Sequence, residues 1–78
     1  MEIEILSPSS DIFKGSAKQV NLPGTSGSFE ILENHAAIIS TLTQGVVSIV
    51  DDKGEKHSFP INGGVVEQSN HKVIVLAD

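Results

Sequence analysis

The chain has no cysteine, tryptophan, tyrosine or arginine. Without cysteine there is no disulfide and no thiolate metal site to support the fold. With three phenylalanines as its only aromatic rings, it offers little for a sugar-stacking pocket. All five basic residues are lysines, Lys14, Lys18, Lys53, Lys56 and Lys72. They are scattered, which excludes a polybasic membrane anchor. No apolar run approaches the roughly 20 residues needed to span a bilayer. No repeat, low-complexity linker or long helical pattern is present. A net charge of −5 repels phosphate and argues against nucleic acid as a partner.

The first residues, Met1 to Glu4, carry acid where a signal peptide needs positive charge. A soluble, cytoplasmic chain is expected, reaching a membrane only through a partner. Its 78 residues are expected to form one small domain, 1–78. A domain of that size buries about 60% of the surface its unfolded chain exposes.

The dominant period is two. Ile3 and Ile5 alternate with Glu2 and Glu4, Val20 and Leu22 with Gln19 and Asn21, and Phe29 and Ile31 flank Glu30. That pattern predicts half-buried strands. Ile12-Phe13 predicts a short strand ended by Gly15, and Pro23-Gly24 stops the Val20–Leu22 strand. Val46 to Val50, the polar turn Asp51 to Gly54, and Lys56 to Ile61 predict a hairpin. Val65 to Glu67, Ser69-Asn70-His71 and Val73 to Leu76 predict another. Turn signals recur every 8 to 12 residues or so, as in an all-β sandwich or barrel.

No arrangement points to chemistry. His35, His57 and His71 lie in separate segments without metal-ligand spacing. Gly27-Ser28-Phe29 lacks the lysine of a phosphate loop. Gly24 and Gly27 are expected at positive φ in a tight turn, and Gly63-Gly64 at a bulge or close backbone approach. Asp51, Asp52 and Glu55 miss the calcium-loop pattern and predict a solvated hairpin tip. No serine sits on a nucleophile elbow. Neither catalytic residue, cofactor nor metal is expected. The run Ala36-Ala37-Ile38-Ile39 follows a polar corner. It fits either a buried strand or an exposed apolar patch that marks a protein contact.

Four segments together resemble the epsilon subunit of bacterial rotary ATP synthases, the mitochondrial delta equivalent. They are Ile3 to Ser7 with Ile12-Phe13-Lys14-Gly15; Leu22-Pro23-Gly24-Thr25-Ser26-Gly27-Ser28-Phe29; Asn34-His35-Ala36-Ala37-Ile38-Ile39-Ser40, with Ala37 where proline is common; and Asn62 to Glu67 with Lys72 to Asp78. They run collinearly through the whole chain. The resemblance implies an all-β, flattened two-sheet sandwich of about ten short strands. It implies a non-catalytic central-stalk role, bracing the gamma subunit on the c-ring and coupling proton flow to ATP synthesis, at the cytoplasmic face of the bacterial inner membrane. It places Ser7, His35, Ala36, Ile38 and Ser40 toward gamma. It places Ser26, Ser28 and Glu30 toward the polar loops of the c-ring, with Glu30 standing where the family often has a small residue. Family members commonly continue past the Ala-Asp segment into a helical hairpin that inhibits hydrolysis. This chain is expected to lack that hairpin, and regulation by it is not carried over. From another class, a free-standing β-sandwich ligand-binding module is the alternative, and a small hydrolase a distant third.

Overall fold

The computed structural model describes residues 1–33 and 36–78. Eight strands follow one another: β1 (Glu2–Leu6), β2 (Asp11–Gly24), β3 (Gly27–Leu32), β4 (Ile38–Leu42), β5 (Gly45–Asp51), β6 (Lys56–Ile61), β7 (Gly64–Ser69) and β8 (Lys72–Ala77). The described residues contain no helix. The period-two reading therefore holds along the chain, and so does the expected flattening, with overall extents of 27 × 24 × 18 Å.

Among the described residues the strand count is eight rather than about ten, and β2 accounts for part of the difference. Gly15 does not end a strand. Asp11–Gly24 runs as one strand of 14 residues, bent where its register shifts between Ala17 and Gln19. A bulge of this kind turns a strand without stopping it. The first part of β2 pairs with β1, Ile3 opposite Gly15 and Ile5 opposite Phe13. The later part pairs with β5 on one side and β3 on the other. One strand thus belongs to both layers of the sandwich. One layer is β4-β7-β8-β1 with the start of β2, and the other is β3-β2-β5-β6. Among the described residues only β1 and β8 pair in parallel.

Alternation drives the packing. From the first layer, Ile3, Ile5, Val66, Val73 and Val75 point inward and are fully buried. From the second, Val20, Leu22, Ile31, Val47 and Ile49 meet them. Phe13, Phe29, Ile38 and Phe59 seal the margins of this core. Burying aliphatic side chains of this size contributes about 1.5–3 kcal/mol each, offset by the entropy of ordering the chain.

Two connections decide the register of the outer elements. β7 and β8 are joined by Asn70 and His71, both left-handed at φ 50 and 62. That is the two-residue hairpin turn whose twist matches the strands. Gly63 and Gly64 adopt φ 139 and 148, and a Cβ on Gly64 would run into the Leu76 backbone, which bears out the close-approach reading of that pair. The turn after β2 corrects another expectation. Gly27 has the positive φ, at 126, but Gly24 does not. Gly24 is small for a steric reason, since a Cβ there would stand 2.6 Å from the Gly27 carbonyl oxygen.

Candidate functional site

The two layers present chemically different outer faces. On the β4-β7-β8-β1 face, the strand registers line up Thr41, Val65, Leu76 and Leu6 in one row across the sheet. The neighbouring row is Ile39, Glu67, Ile74 and Glu4. Ile39 is 74% exposed, Leu76 54% and Val65 38%. They stand on the solvent side because their strand neighbours Leu42, Val66 and Val75 take the core side. Single exposed aliphatics are ordinary, and a contiguous group of them is what a contact surface requires. Toward β1 the face becomes charged. Glu4 accepts from Lys72 Nζ at 2.7 Å and lies 4.0 Å from Lys14 Nζ. The Lys72 bond holds the Glu4 carboxyl below its ordinary range and raises the Lys72 ammonium.

The opposite face carries a polar row at its centre, with Leu32 and Val46, each 50% exposed, to either side of it. Its central row is Glu30, Asn21, Ser48 and Ser58. The Gln19 amide donates to Glu30 at 2.6 Å. Beyond this row the β2–β3 hairpin projects, with Thr25 and Ser26 between the paired Gly24 and Gly27.

These elements place the sequence-predicted residues unevenly. Ser26, Ser28 and Glu30 all lie exposed on the β2–β3 hairpin, so the structure brings that set together. The other set divides. Ser7 is half-buried just beyond β1, its hydroxyl donating to the Ser10 carbonyl at 3.1 Å. Ala36 is exposed ahead of β4, while Ile38 and Ser40 are half-buried. Ile38, Ser40 and Leu42 form the core-side alternation of β4; Ile39 and Thr41 form the other. His35 lies outside the described residues, as does Asn34. Ile39, exposed on β4, was absent from the sequence-predicted set. Its signal was alternation with Leu42, but a run of apolar residues on both sides hid the phase. Val65, Glu67 and Leu76 were missed because only strand pairing puts them beside it.

The two surfaces are joined locally. Thr25 N donates to the Thr41 carbonyl at 3.1 Å, their hydroxyls are 2.8 Å apart, and Thr43 N donates to the Pro23 carbonyl at 2.8 Å. The projecting hairpin is thereby tied to the strand that carries Ile39.

A third cluster lies at the β5–β6 turn. Asp51, Glu55 and His57 bring ligand-type atoms within 4.8 Å of one another. His57 follows Glu55 by two residues, and the β5–β6 hairpin brings both back to Asp51. Asp51 is already engaged. One oxygen accepts from the Lys53 and Glu55 backbone N–H groups at 2.9 Å, and the other from His57 Nε2–H at 2.9 Å. The His57 bond, then the Glu55 N–H, hold the Asp51 carboxyl below its ordinary range. His57 also packs against Phe13, with ring centres 5.5 Å apart. This geometry closes a hairpin and fastens it to β2.

The structure defines a small β-sandwich whose distinctive chemistry lies on its outer faces. The chain belongs to the family of the ATP synthase Delta/Epsilon chain beta-sandwich domain, whose family model matches residues 1–78. It is 41% identical over 78 residues to the ATP synthase epsilon chain of Sulfurimonas denitrificans, covering all of this chain and 60% of that protein. It is 34% identical over 77 residues to the epsilon chain of Clostridium novyi, covering 99% of this chain and 59% of that protein. The chain therefore spans about 60% of the length of the curated relatives it matches. Among solved structures, a chain of the Euglena gracilis mitochondrial ATP synthase assembly of OSCP, F1 and c-ring matches 96% of this chain and 48% of its own length, at a TM-score of 0.83 and 16% identity. A chain of the Tetrahymena thermophila mitochondrial ATP synthase central stalk and c-ring matches 99% of this chain and 62% of its own, at 0.78 and 19%. At such identities the structural likeness establishes the fold.

Proposed function

We propose that this chain is a non-catalytic rotor subunit of a proton-translocating ATP synthase. It braces the gamma subunit on the c-ring and couples ion flow to ATP synthesis. The observation that carries the reading is the exposed apolar row on the β4-β7-β8-β1 face, with Val65 and Leu76 at its centre. A permanent contact needs an apolar centre with a polar rim, and this face has both. The gamma contact then centres on Ile39, Val65 and Leu76. Ser7, Ala36, Ile38 and Ser40 would border it. The β2–β3 hairpin, with Ser26, Ser28 and Glu30, faces the c-ring loops. The Thr25–Thr41 link suits a part that must pass torque between two contacts without flexing. Localisation follows from assembly: the chain sits at the cytoplasmic face of the bacterial plasma membrane, peripherally, held by the complex. No cofactor is required for this role.

The relatives' name, ATP synthase epsilon chain, supports the assignment to this complex. The test is assembly and coupling. The chain should retain the gamma subunit from its own source on a column, and added to membranes stripped of the subunit it should restore ATP-driven proton pumping. The paired substitution Ile39→Gln and Leu76→Gln should abolish both. Failure of the unaltered chain to retain gamma would overturn the reading.

A further inference from the structure

Glu67 occupies an unusual place on the apolar face. In its row it stands between Ile39 on β4 and Ile74 on β8. It is exposed, and no cation among the described residues lies within ion-pair distance of it. Glu4, in the same row, has both Lys72 and Lys14. Beside Glu67 the surface dips into an open depression of about 460 Å³, lined by Glu2, Glu67, Ser69, His71, Lys72 and Ile74 among others. Lys72 is committed to Glu4 at 2.7 Å. Glu2 feels Lys72 only through longer-range attraction. Two carboxylates thus border the depression without an ion pair of their own.

Any partner that covers Ile39, Val65 and Leu76 also covers Glu67. Covering strips water from a carboxylate, which is costly unless an opposite charge arrives with the partner. We propose that the gamma-subunit surface docking here presents an apolar ridge flanked by a cationic side chain, arginine or lysine, which enters the depression and pairs with Glu67, with Glu2 on its far wall. Glu67 is then a specificity-determining residue of the interface. It rejects partners that bring an apolar ridge without the charge. The inference rests on the reading of this face as the gamma contact.

The experiment measures the Kd between the full chain and the gamma subunit from the same source, across a series of salt concentrations. Glu67→Gln should weaken binding about tenfold or more and reduce its salt dependence, and Glu67→Lys should weaken it further. Circular dichroism and thermal melting establish that each variant is folded. The Ile39→Gln, Leu76→Gln pair separates the two ideas. If that pair destroys binding while Glu67→Gln and Glu67→Lys both bind as tightly as the parent, the face stands and the charge pairing is overturned. If that pair leaves binding unchanged, the docking face itself is wrong and the pairing falls with it. Should Glu67→Lys fail to fold, the affinity and salt dependence of Glu67→Gln decide alone.

Discussion

A Cβ on Gly64 would stand 2.1 Å from the carbonyl oxygen of Leu76. These residues lie at the head of the β7–β8 ladder, where Gly64 pairs with Ala77. The left-handed φ of 148 at Gly64 adds a second penalty for any side chain. Gly64→Ala should therefore destabilise the fold by about 2 kcal/mol or more, because backbone rather than a mobile side chain must yield. Urea unfolding of the variant checks it. An unchanged midpoint would mean that the β7–β8 ladder shifts more easily than its pairing suggests.

Ile5 is fully buried and lies between β2 and β8, opposite Phe13 on one side and Val75 on the other. Ile5→Ala should cost about 2–5 kcal/mol, a large share of the stability of so small a protein. Ile39, on the outer face, should tolerate Ile39→Gln within about 0.5 kcal/mol. Paired chemical denaturation curves measure both.

Ser40 pairs with Val66 and shares its core-side alternation. Ser40→Arg should cost about 1 kcal/mol or more by forcing a long charged side chain against the sandwich margin. Weak assembly of that variant would then reflect the fold as well as the contact. Thermal melting of the isolated variant separates the two effects.

Asp51 and His57 predict the acid response. The Asp51 carboxyl is held low by His57 and by the Glu55 backbone N–H. A lowered folded pKa contributes stability that is fully present above the unfolded value of about 3.9 and is lost as pH falls through the folded one. Asp51→Asn should remove part of the fall in melting temperature between neutral pH and the acid range below pH 4 or so. Superimposable acid profiles for the variant and its parent would contradict the pairing.

Lys72 and Glu4 act at both ends of the scale. The Lys72 ammonium is raised by its bond to Glu4. Its contribution is complete below the unfolded value of about 10.4 and is lost as pH rises through the folded one. Glu4→Gln should flatten the alkaline limb of the melting profile while leaving the neutral melting point little changed, since exposed pairs contribute modestly. Melting curves at neutral and alkaline pH check it.

Much of the fold was legible in the residues themselves. Alternation such as Glu2-Ile3-Glu4-Ile5 can be buried on one side only, so it specifies a strand and its inward set wherever the phase is clean. Turn chemistry marked the β5–β6 and β7–β8 hairpins, and Gly63-Gly64 marked a place where backbones meet. Collinear motifs also carried the family resemblance. Gly15 misled, because the same residue that ends a strand can also continue one beside a bulge. The Ala36 to Ile39 run was silent on phase, since apolar residues on both sides of a strand erase the period.

The outer faces were decided by tertiary structure. Ile39, Glu67, Ile74 and Glu4 come from four separate strands, and only hydrogen-bond register aligns them. The same holds for Asp51 with His57, and for Thr25 with Thr41. Local sequence determines which way a side chain points from its own strand; which strand lies beside it is set by long-range pairing, and a surface is made of neighbours.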